Sequence, residues 1–442
     1  MTNEALAGLE VAGFIVLLLA GIPVGFAIAA AGILFGLLGF GHNLFSLVPL
    51  QIYGVATNYT LLAVPLFVFM GVLLEKSRIA EEMLDVMGLM AGRIPGGMSV
   101  GIIIIGIMMG AATGIVGATV VTVSLLSLPT LLKRGYNKGL ACGTICASGT
   151  LGQIIPPSLI LILLADLVGE SIGTLFAAAL IPGIMLGGLY IVYILILARI
   201  RPDLAPPIPF EERAGVSKRE LSVRAIKGVA PPILLIVAVL GSIMGGIAAP
   251  TEAASMGALG ALFIVLFSGK LNLQVLRATM RSTLNVNAMI MLILFGSRTF
   301  SVTFRGLNGD DLIDRLLSSI PGGFWGTIIF LMGVLFLLGF FMEWIEICYI
   351  VLPLFLPFFI HQHTNMVWLA TVICVNLQTS FLTPPFGWAL FFIKCVAPPE
   401  VTTGDIYRGV IPFIAVQLLG LALVMGFPQI SLWLPTAIGW IK

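Results

Sequence analysis

Two stretches carry groups able to bind ions or polar molecules inside an otherwise apolar chain: Ser148–Ser158, SGTLGQIIPPS, and Asn376–Gly387, NLQTSFLTPPFG. Each sets hydroxyls, an amide and paired prolines in a segment oily enough to lie within a bilayer. Proline lacks the backbone donor and pushes the residue before it away from helical angles, so Pro156-Pro157 and Pro384-Pro385 predict helix breaks. The first break frees carbonyls around Gly152–Ile155, and in hydrocarbon such groups persist only where they line a polar cavity or bind something. A third cluster, Ala111-Ala112-Thr113-Gly114, offers backbone carbonyls and one hydroxyl. Beside Ser148, Thr150 and Gln153 it makes an oxygen-rich set of the kind that ligates a hard cation such as sodium, and the carboxyl ends of half-helices favour positive charge. Small residues also let helices approach closely. Two such clusters at symmetric breaks favour binding over packing alone.

The second half carries different chemistry. Its segment Gly339–Glu346, GFFMEWIE, places Glu343 and Glu346 three apart, on one helix face. A charge at that depth costs on the order of 3 kcal/mol, so it needs a partner, and Arg298 in LILFGSRTFS is the expected one. Arg298 then either faces an anionic substrate while a glutamate faces a cation, or forms a structural pair with them. Glu252 follows Pro250 and is expected to cap a helix start. Asp166 is expected to be solvated near the outer boundary, and His361 and His363 to sit in a loop without a carboxylate beside them. Cys142 and Cys146 share a helix face, but without a CxxC pair they read as buried packing, neither zinc site nor disulfide.

The elements that must position these groups follow from composition. With 59% hydrophobic residues, 10% charged and a mean hydropathy of +1.13, the chain is a polytopic membrane protein. Its 51 glycines and 25 prolines imply closely packed, interrupted helices, as carriers have. A net charge of +2 gives no reason to expect nucleic acid. Glu4 and Glu10 precede any lysine or arginine, unlike the basic start of a cleaved signal peptide.

The expected fold is all-α, with two inverted structural repeats, re-entrant helical hairpins and broken helices. Residues 1–200 form the first repeat: apolar runs at 6–20, 23–41 and 61–74, a loop from His42 to Tyr59, an arm helix at 75–96, a hairpin at 98–132, a broken helix at 139–169 and a crossing at 172–199. The arm shows Ile79, Met83, Val86, Leu89 and Met90 on one side. The hairpin is inferred because a single helix over Met98–Leu132 would run roughly 50 Å against ~30 Å of hydrocarbon. Residues 201–227, rich in proline and charge, are the linker. Residues 228–442 repeat the plan, with crossings at 228–246, 250–268 and 284–303, an arm at 306–319, a hairpin at 324–360, a broken helix at 367–397 and a last crossing at 405–425.

Spacing supports the duplication. Pro23 and Pro250 are 227 apart, Cys146 and Cys374 are 228, Pro156 and Pro384 are 228, and Pro182 and Pro412 are 230. Eighteen lysines and arginines fall on the linker's side of this plan and three (Arg305, Arg315, Lys442) on the other, which puts the linker in the cytoplasm and both termini outside. Five crossings per half, an odd number, invert the halves, so the first hairpin enters from the cytoplasm and the second from outside.

Lys133–Ser158 (KRGYNKGLACGTICASGTLGQIIPPS), Gly246–Leu262 (GIAAPTEAASMGALGAL) and Asn376–Phe391 (NLQTSFLTPPFGWALF) carry a resemblance over essentially the whole chain. It resembles the large membrane subunit of tripartite ATP-independent periplasmic (TRAP) transporters, the DctM-type permease. That resemblance implies a non-enzymatic, sodium-driven elevator carrier in the bacterial inner membrane, without cofactor. A small four-helix membrane subunit (DctQ-type) and a periplasmic substrate-binding protein (DctP-type) would complete it. Carried over by position, one sodium site joins Ala111, Ala112, Thr113 and Gly114 to Ser148, Gly149, Thr150 and Gly152; another joins Gly339 and Glu343 to Asn376, Gln378, Thr379 and Thr383. The substrate would sit between them, against Thr113, Gln153, Arg298, Glu343, Gln378 and Thr383. Many relatives have a serine-rich first tip; Ala111-Ala112-Thr113 here leaves more to backbone carbonyls. FFMEWIEICYIVLPL is similar to the subgroup labelled for mannitol, chloroaromatic, 2-oxo or hydroxy acids, which implies a small organic carboxylate. The alternative is a stand-alone ion-coupled carrier of related fold; a membrane enzyme would need a nucleophile with a base, or a metal cluster, at depth.

Overall fold

The computed structural model describes residues 2–77, 79, 83, 86, 87, 90, 94–113, 116–207 and 218–441, and every regular element among them is helical. In the first half α1 (Asn3–Leu19), α2 (Val24–Phe40), α3 (Leu44–Ala56) and α4 (Ala63–Lys76) lead to a hairpin of α5 (Gly97–Thr113) and α6 (Val116–Lys133). Then come α7 (Lys138–Leu151), α8 (Leu159–Val168) and α9 (Ile172–Ile200). The second half opens with α10 (Lys218–Gly228), α11 (Ala230–Met244), α12 (Pro250–Phe267) and α13 (Leu273–Gly306). The short arm α14 (Gly309–Ser318) precedes a hairpin of α15 (Gly323–Leu338) and α16 (Trp344–His361), then α17 (Met366–Leu382), α18 (Trp388–Val396), α19 (Thr403–Gly426) and α20 (Gln429–Ala437). Among the described residues eight helices are long and apolar enough to cross a membrane, or ten if each bent pair is one span.

Equivalent helices start with the same local chemistry. Asn137 Oδ1 accepts from the Leu140 amide at 3.1 Å, and Asn365 Oδ1 from the Trp368 amide at 3.0 Å. Ser171 caps α9 and Thr402 caps α19 in the same way, at 3.0 and 3.1 Å. Each oxygen takes an amide hydrogen that a helix start leaves unpaired. Both Pro156-Pro157 and Pro384-Pro385 are cis.

Contacts at the two ends of the molecule fix the relative sense of the halves. At one end the Gly96 and Asn137 amides, flanking the first hairpin, donate to Ala205 and Leu204 at the start of the linker, both at 2.9 Å. Lys138, opening α7, donates to the Glu400 carbonyl just past α18 at 2.7 Å. At the other end Arg315 of the arm pairs with Glu4 at 2.5 Å, and Asp314 lies 3.9 Å from His361 where the second hairpin closes. The first hairpin therefore opens at the linker end and the second at the opposite end. The α7–α8 pair begins where the α17–α18 pair finishes. The repeats are inverted.

Several elements differ from the sequence expectation. The segment read as a loop from His42 to Tyr59 contains α3, with Pro49 inside it. The C-terminal part of the linker is helical as α10, with an Arg224–Glu220 pair at 2.5 Å one turn apart, and the chain bends 43° into α11. The 34-residue α13 outruns the expected crossing because its first turns, with Arg277 and Arg281, extend past the apolar zone. On the first arm Ile79, Met83 and Val86 are buried, whereas Met90 is 53% exposed; Leu89 lies outside the described residues. His361 ends α16 and faces Asp314, so it is neither in a loop nor without a carboxylate. Glu252 does cap α12, accepting from the Ala249 amide at 2.8 Å.

The α7–α19 crossing is set by two glycines in backbone contact: a Cβ on Gly409 would lie 1.9 Å from the Gly139 carbonyl oxygen. Gly241 on α11 meets nothing within 4 Å. We expect Gly409→Ala to destabilise the detergent-purified protein by about 1–3 kcal/mol, read as a lower melting temperature, with Gly241→Ala neutral or slightly stabilising.

Candidate ion and substrate site

The two broken helices cross, and each is tied to the other's break. Cys374 on α17 donates its Sγ–H to the Gln153 carbonyl at 3.7 Å, inside the first break. Its repeat mate Cys146 on α7 donates to the Ala389 carbonyl at 3.7 Å, just beyond the second. Both equivalent cysteines bond across to the other repeat, although Gln153 matches Phe381 and not Ala389 in the 228-residue register, so the two contacts are not symmetry mates. Gln153's carbonyl, expected to be free, also accepts from the Ser158 hydroxyl. The carbonyls of Thr150 and Leu151 take turn amides from Gln153 (3.1 Å) and from Ile154 (3.2 Å) and Ile155 (3.3 Å). The break is thus better satisfied by its own turn and by the other repeat than proline chemistry alone suggests.

Hairpin tips sit on these breaks in both halves. On α5, a Cβ at Gly110 would lie 2.2 Å from the Gly152 Cα, and on the second hairpin one at Gly339 would lie 2.1 Å from the Ser380 hydroxyl. Ala111 is buried at the end of α5, Ala112 and Thr113 complete the helix, and Gly114 lies outside the described residues. The first tip thereby comes against Gly152, and Gly149 packs against Val120 on α6. On the second hairpin Glu346 Oε2 accepts from the Glu343 amide at 3.0 Å, capping the start of α16.

The hydroxyls have a common orientation. Ser148 donates to Ile145 O at 2.9 Å, Thr150 to Ala147 O at 3.0 Å, Thr379 to Val375 O at 3.4 Å, Ser380 to Leu377 O at 2.8 Å and Thr383 to Thr379 O at 2.7 Å. With its proton committed to its own helix, each oxygen can show the site only lone pairs, which suits a cation and not a carboxylate. The Asn376 Nδ2 donates to Met332 O on α15 at 2.8 Å, leaving its oxygen as the acceptor.

The side-chain amides supply the opposite polarity. Gln153 is 1% exposed and, among the described residues, neither of its side-chain polar atoms has a partner. Gln378 lies one turn past Cys374, on the same face of α17. Its Oε1 accepts from Gln417 Nε2 at 3.2 Å; Gln417 in turn donates to Val375 O at 3.0 Å and accepts from Tyr190 at 2.6 Å. Because Val375 O can only accept and the Tyr190 hydroxyl donates to Oε1, this chain fixes which way each amide points, and Gln378 Nε2 is left as an unpartnered buried donor. Tyr190 and Gln417 were missed in the sequence; the signal was a polar side chain alone in the apolar run IPFIAVQLLGLALVMG.

Arg298 is not the partner of the hairpin carboxylates, which form no ion pair among the described residues. Its guanidinium lies 3.4 Å from Asp166 Oδ2, and the Asn58 amide donates to Asp166 Oδ1 at 2.5 Å. Asp166 is therefore held on both oxygens, its side chain 8% exposed, and is not simply solvated. The reason is rotation about α13: Ser297 faces the second hairpin and bonds the Tyr349 carbonyl, and a step of one residue, about 100°, turns Arg298 to α8.

An all-helical membrane protein with inverted repeats, paired hairpins and crossed helix breaks is a carrier by architecture. The family model described as "Tripartite ATP-independent periplasmic transporter, DctM component" matches residues 11–430, and the chain belongs to that family, of transport permeases rather than enzymes. It is 29% identical to the C4-dicarboxylate TRAP transporter large permease protein DctM of Vibrio cholerae, with 95% of each chain covered. It is likewise 29% identical to the ectoine permease TeaC of Halomonas elongata (96% and 97% covered) and 28% identical to the sialic acid permease SiaM of Vibrio cholerae (96% and 97%). The YdaH transporter of Alcanivorax borkumensis shares the fold at a TM-score of 0.60, 15% identity and 90% coverage of both chains.

Of the five cysteines, Cys395 is exposed and Cys142, Cys146, Cys348 and Cys374 are buried. A membrane-permeant maleimide should add once per native chain, at Cys395, and five times after denaturation in detergent, as read by intact mass.

Proposed function

We propose that this chain is the large permease of a tripartite, binding-protein-dependent transporter that carries a small organic carboxylate into the cell on a sodium gradient. It would act in the bacterial inner membrane, with the linker cytoplasmic and both termini periplasmic, beside a small four-helix membrane subunit and a periplasmic binding protein. The charge asymmetry along the sequence supports that orientation. Family membership supports the partners, and relatives named for a C4-dicarboxylate and for sialic acid support an acidic cargo.

The observation that carries the reading is the opposite polarity of the two kinds of group at the crossed breaks. Hydroxyls of Ser148, Thr150, Thr379 and Thr383 have their protons bonded to their own helices, so their lone pairs would repel a carboxylate. Sodium ions at the two tip–break junctions would turn that lone-pair surface into a positive one. Gln153 and Gln378 Nε2 would then donate to the cargo between them. In a medium of low polarity, cation and carboxylate each make the other's entry affordable, which is the physical content of coupling. An elevator motion of hairpins and broken helices as one body is the mechanism we infer, since the Cys146 and Cys374 contacts tie each broken helix to the other repeat.

Reconstitution with the small subunit and the binding protein, the cargo first found by thermal shift of that protein on a carboxylate panel, tests the reading. Uptake should require an inward sodium gradient and all three proteins. Uptake by this chain alone would instead support a stand-alone carrier. Gln378→Leu should raise KM by roughly 5- to 100-fold at saturating sodium, as expected for loss of a buried donor to a charged group. Thr383→Val should chiefly raise the sodium concentration needed for half-maximal uptake.

A further inference from the structure

Three polar contacts beside Asp166 close a ring that neither the breaks nor the hairpin tips require. Arg298 on α13 reaches Asp166 on α8 at 3.4 Å, and Asp166 lies one turn beyond Leu163 on the same helix. The Tyr349 hydroxyl donates to the Leu163 carbonyl at 3.4 Å, and the Tyr349 carbonyl accepts from Ser297, the residue next to Arg298. Asn58, between α3 and α4, holds Asp166 from outside the ring at 2.5 Å. Tyr349 sits in a π turn, Ile347–Val351, whose wider register leaves a carbonyl free for Ser297. The ring thus ties the second hairpin to α8, from the other repeat, and both to α13.

We propose that Asp166 is a positioning residue that latches the second hairpin closed, and that breaking this ring precedes the hairpin's opening. Three features distinguish a latch from permanent packing. First, the ion pair rests on one 3.4 Å contact with a guanidinium 38% exposed, so it exchanges for water or another anion at low cost. Second, its members come from four separate parts of the chain, and polar contacts link them in addition to the apolar packing of Tyr349 and Leu163. Third, α4, which like the end of α13 precedes an arm and a hairpin, carries no polar side chain from Ala63 through Leu74 to match Ser297 and Arg298, and α5 meets α7 through glycine.

Hydrogen–deuterium exchange of the full chain in lipid nanodiscs tests this without a known substrate. Asp166→Asn and Arg298→Gln should each speed exchange about tenfold in peptides covering 339–351, and leave peptides of α5 and α6 unchanged. The swap Asp166→Arg with Arg298→Asp should restore protection. Tyr349→Phe, which keeps the packing and removes one link, should give the same local rise if the charge variants fail to fold. Unchanged exchange over 339–351 in a folded Asp166→Asn or Tyr349→Phe protein overturns the proposal, as does an equal rise in both hairpins, which marks general destabilisation.

Discussion

The structure turns on one requirement: a helix broken inside hydrocarbon must find partners for the backbone groups the break disrupts. Water is absent there, and an unpaired carbonyl or amide is expensive. The first break is met partly by its own turn and partly by a thiol from the other repeat. The second repeat also receives a thiol, from Cys146 to the Ala389 carbonyl in the first turn of α18. The glycine contacts serve the same end, because hairpin tips can cover a break only where no side chain keeps the backbones apart.

Within this frame the site divides its polarity between residue types. Short hydroxyls that bond back to their own helix become fixed acceptors, while longer amides reach away from theirs. Gln417 and Tyr190 matter because they orient Gln378, not because they face the site themselves. Glu346 caps the α16 start, which its three-residue spacing from Glu343 also allows, so the two glutamates are not equivalent: the Glu346 carboxyl is occupied by backbone, and Glu343 is the residue at the tip.

Fold class was legible in the sequence because it rests on coarse signals. The 228-residue spacing of Pro156 and Pro384, the apolar run too long for one crossing, and the bias of lysine and arginine each survive errors of a few residues. Partner choice does not. Arg298 and Glu343 are plausible mates at the resolution of a helical run, yet the difference between Ser297, which meets the second hairpin, and Arg298, which meets α8, is a single step around α13. Asp166 was misplaced for the same reason: its depth could be read, but not that Asn58 would reach it from 108 residues away.

The cross-repeat thiol contacts also bear on how the chain comes to exist. Gln153 is made 221 residues before Cys374, and until then only the neighbouring Ser158 hydroxyl serves its carbonyl, so the N-terminal copy carries an incomplete core into the lipid. Membrane insertion of the two copies can be sequential, but their maturation cannot. Until the C-terminal copy arrives, the early segment needs a substitute companion, such as lipid headgroups, trapped water or the insertion machinery itself. A gene duplicated for symmetry has thereby become indivisible: either half expressed alone would enter the bilayer without the contacts that finish it.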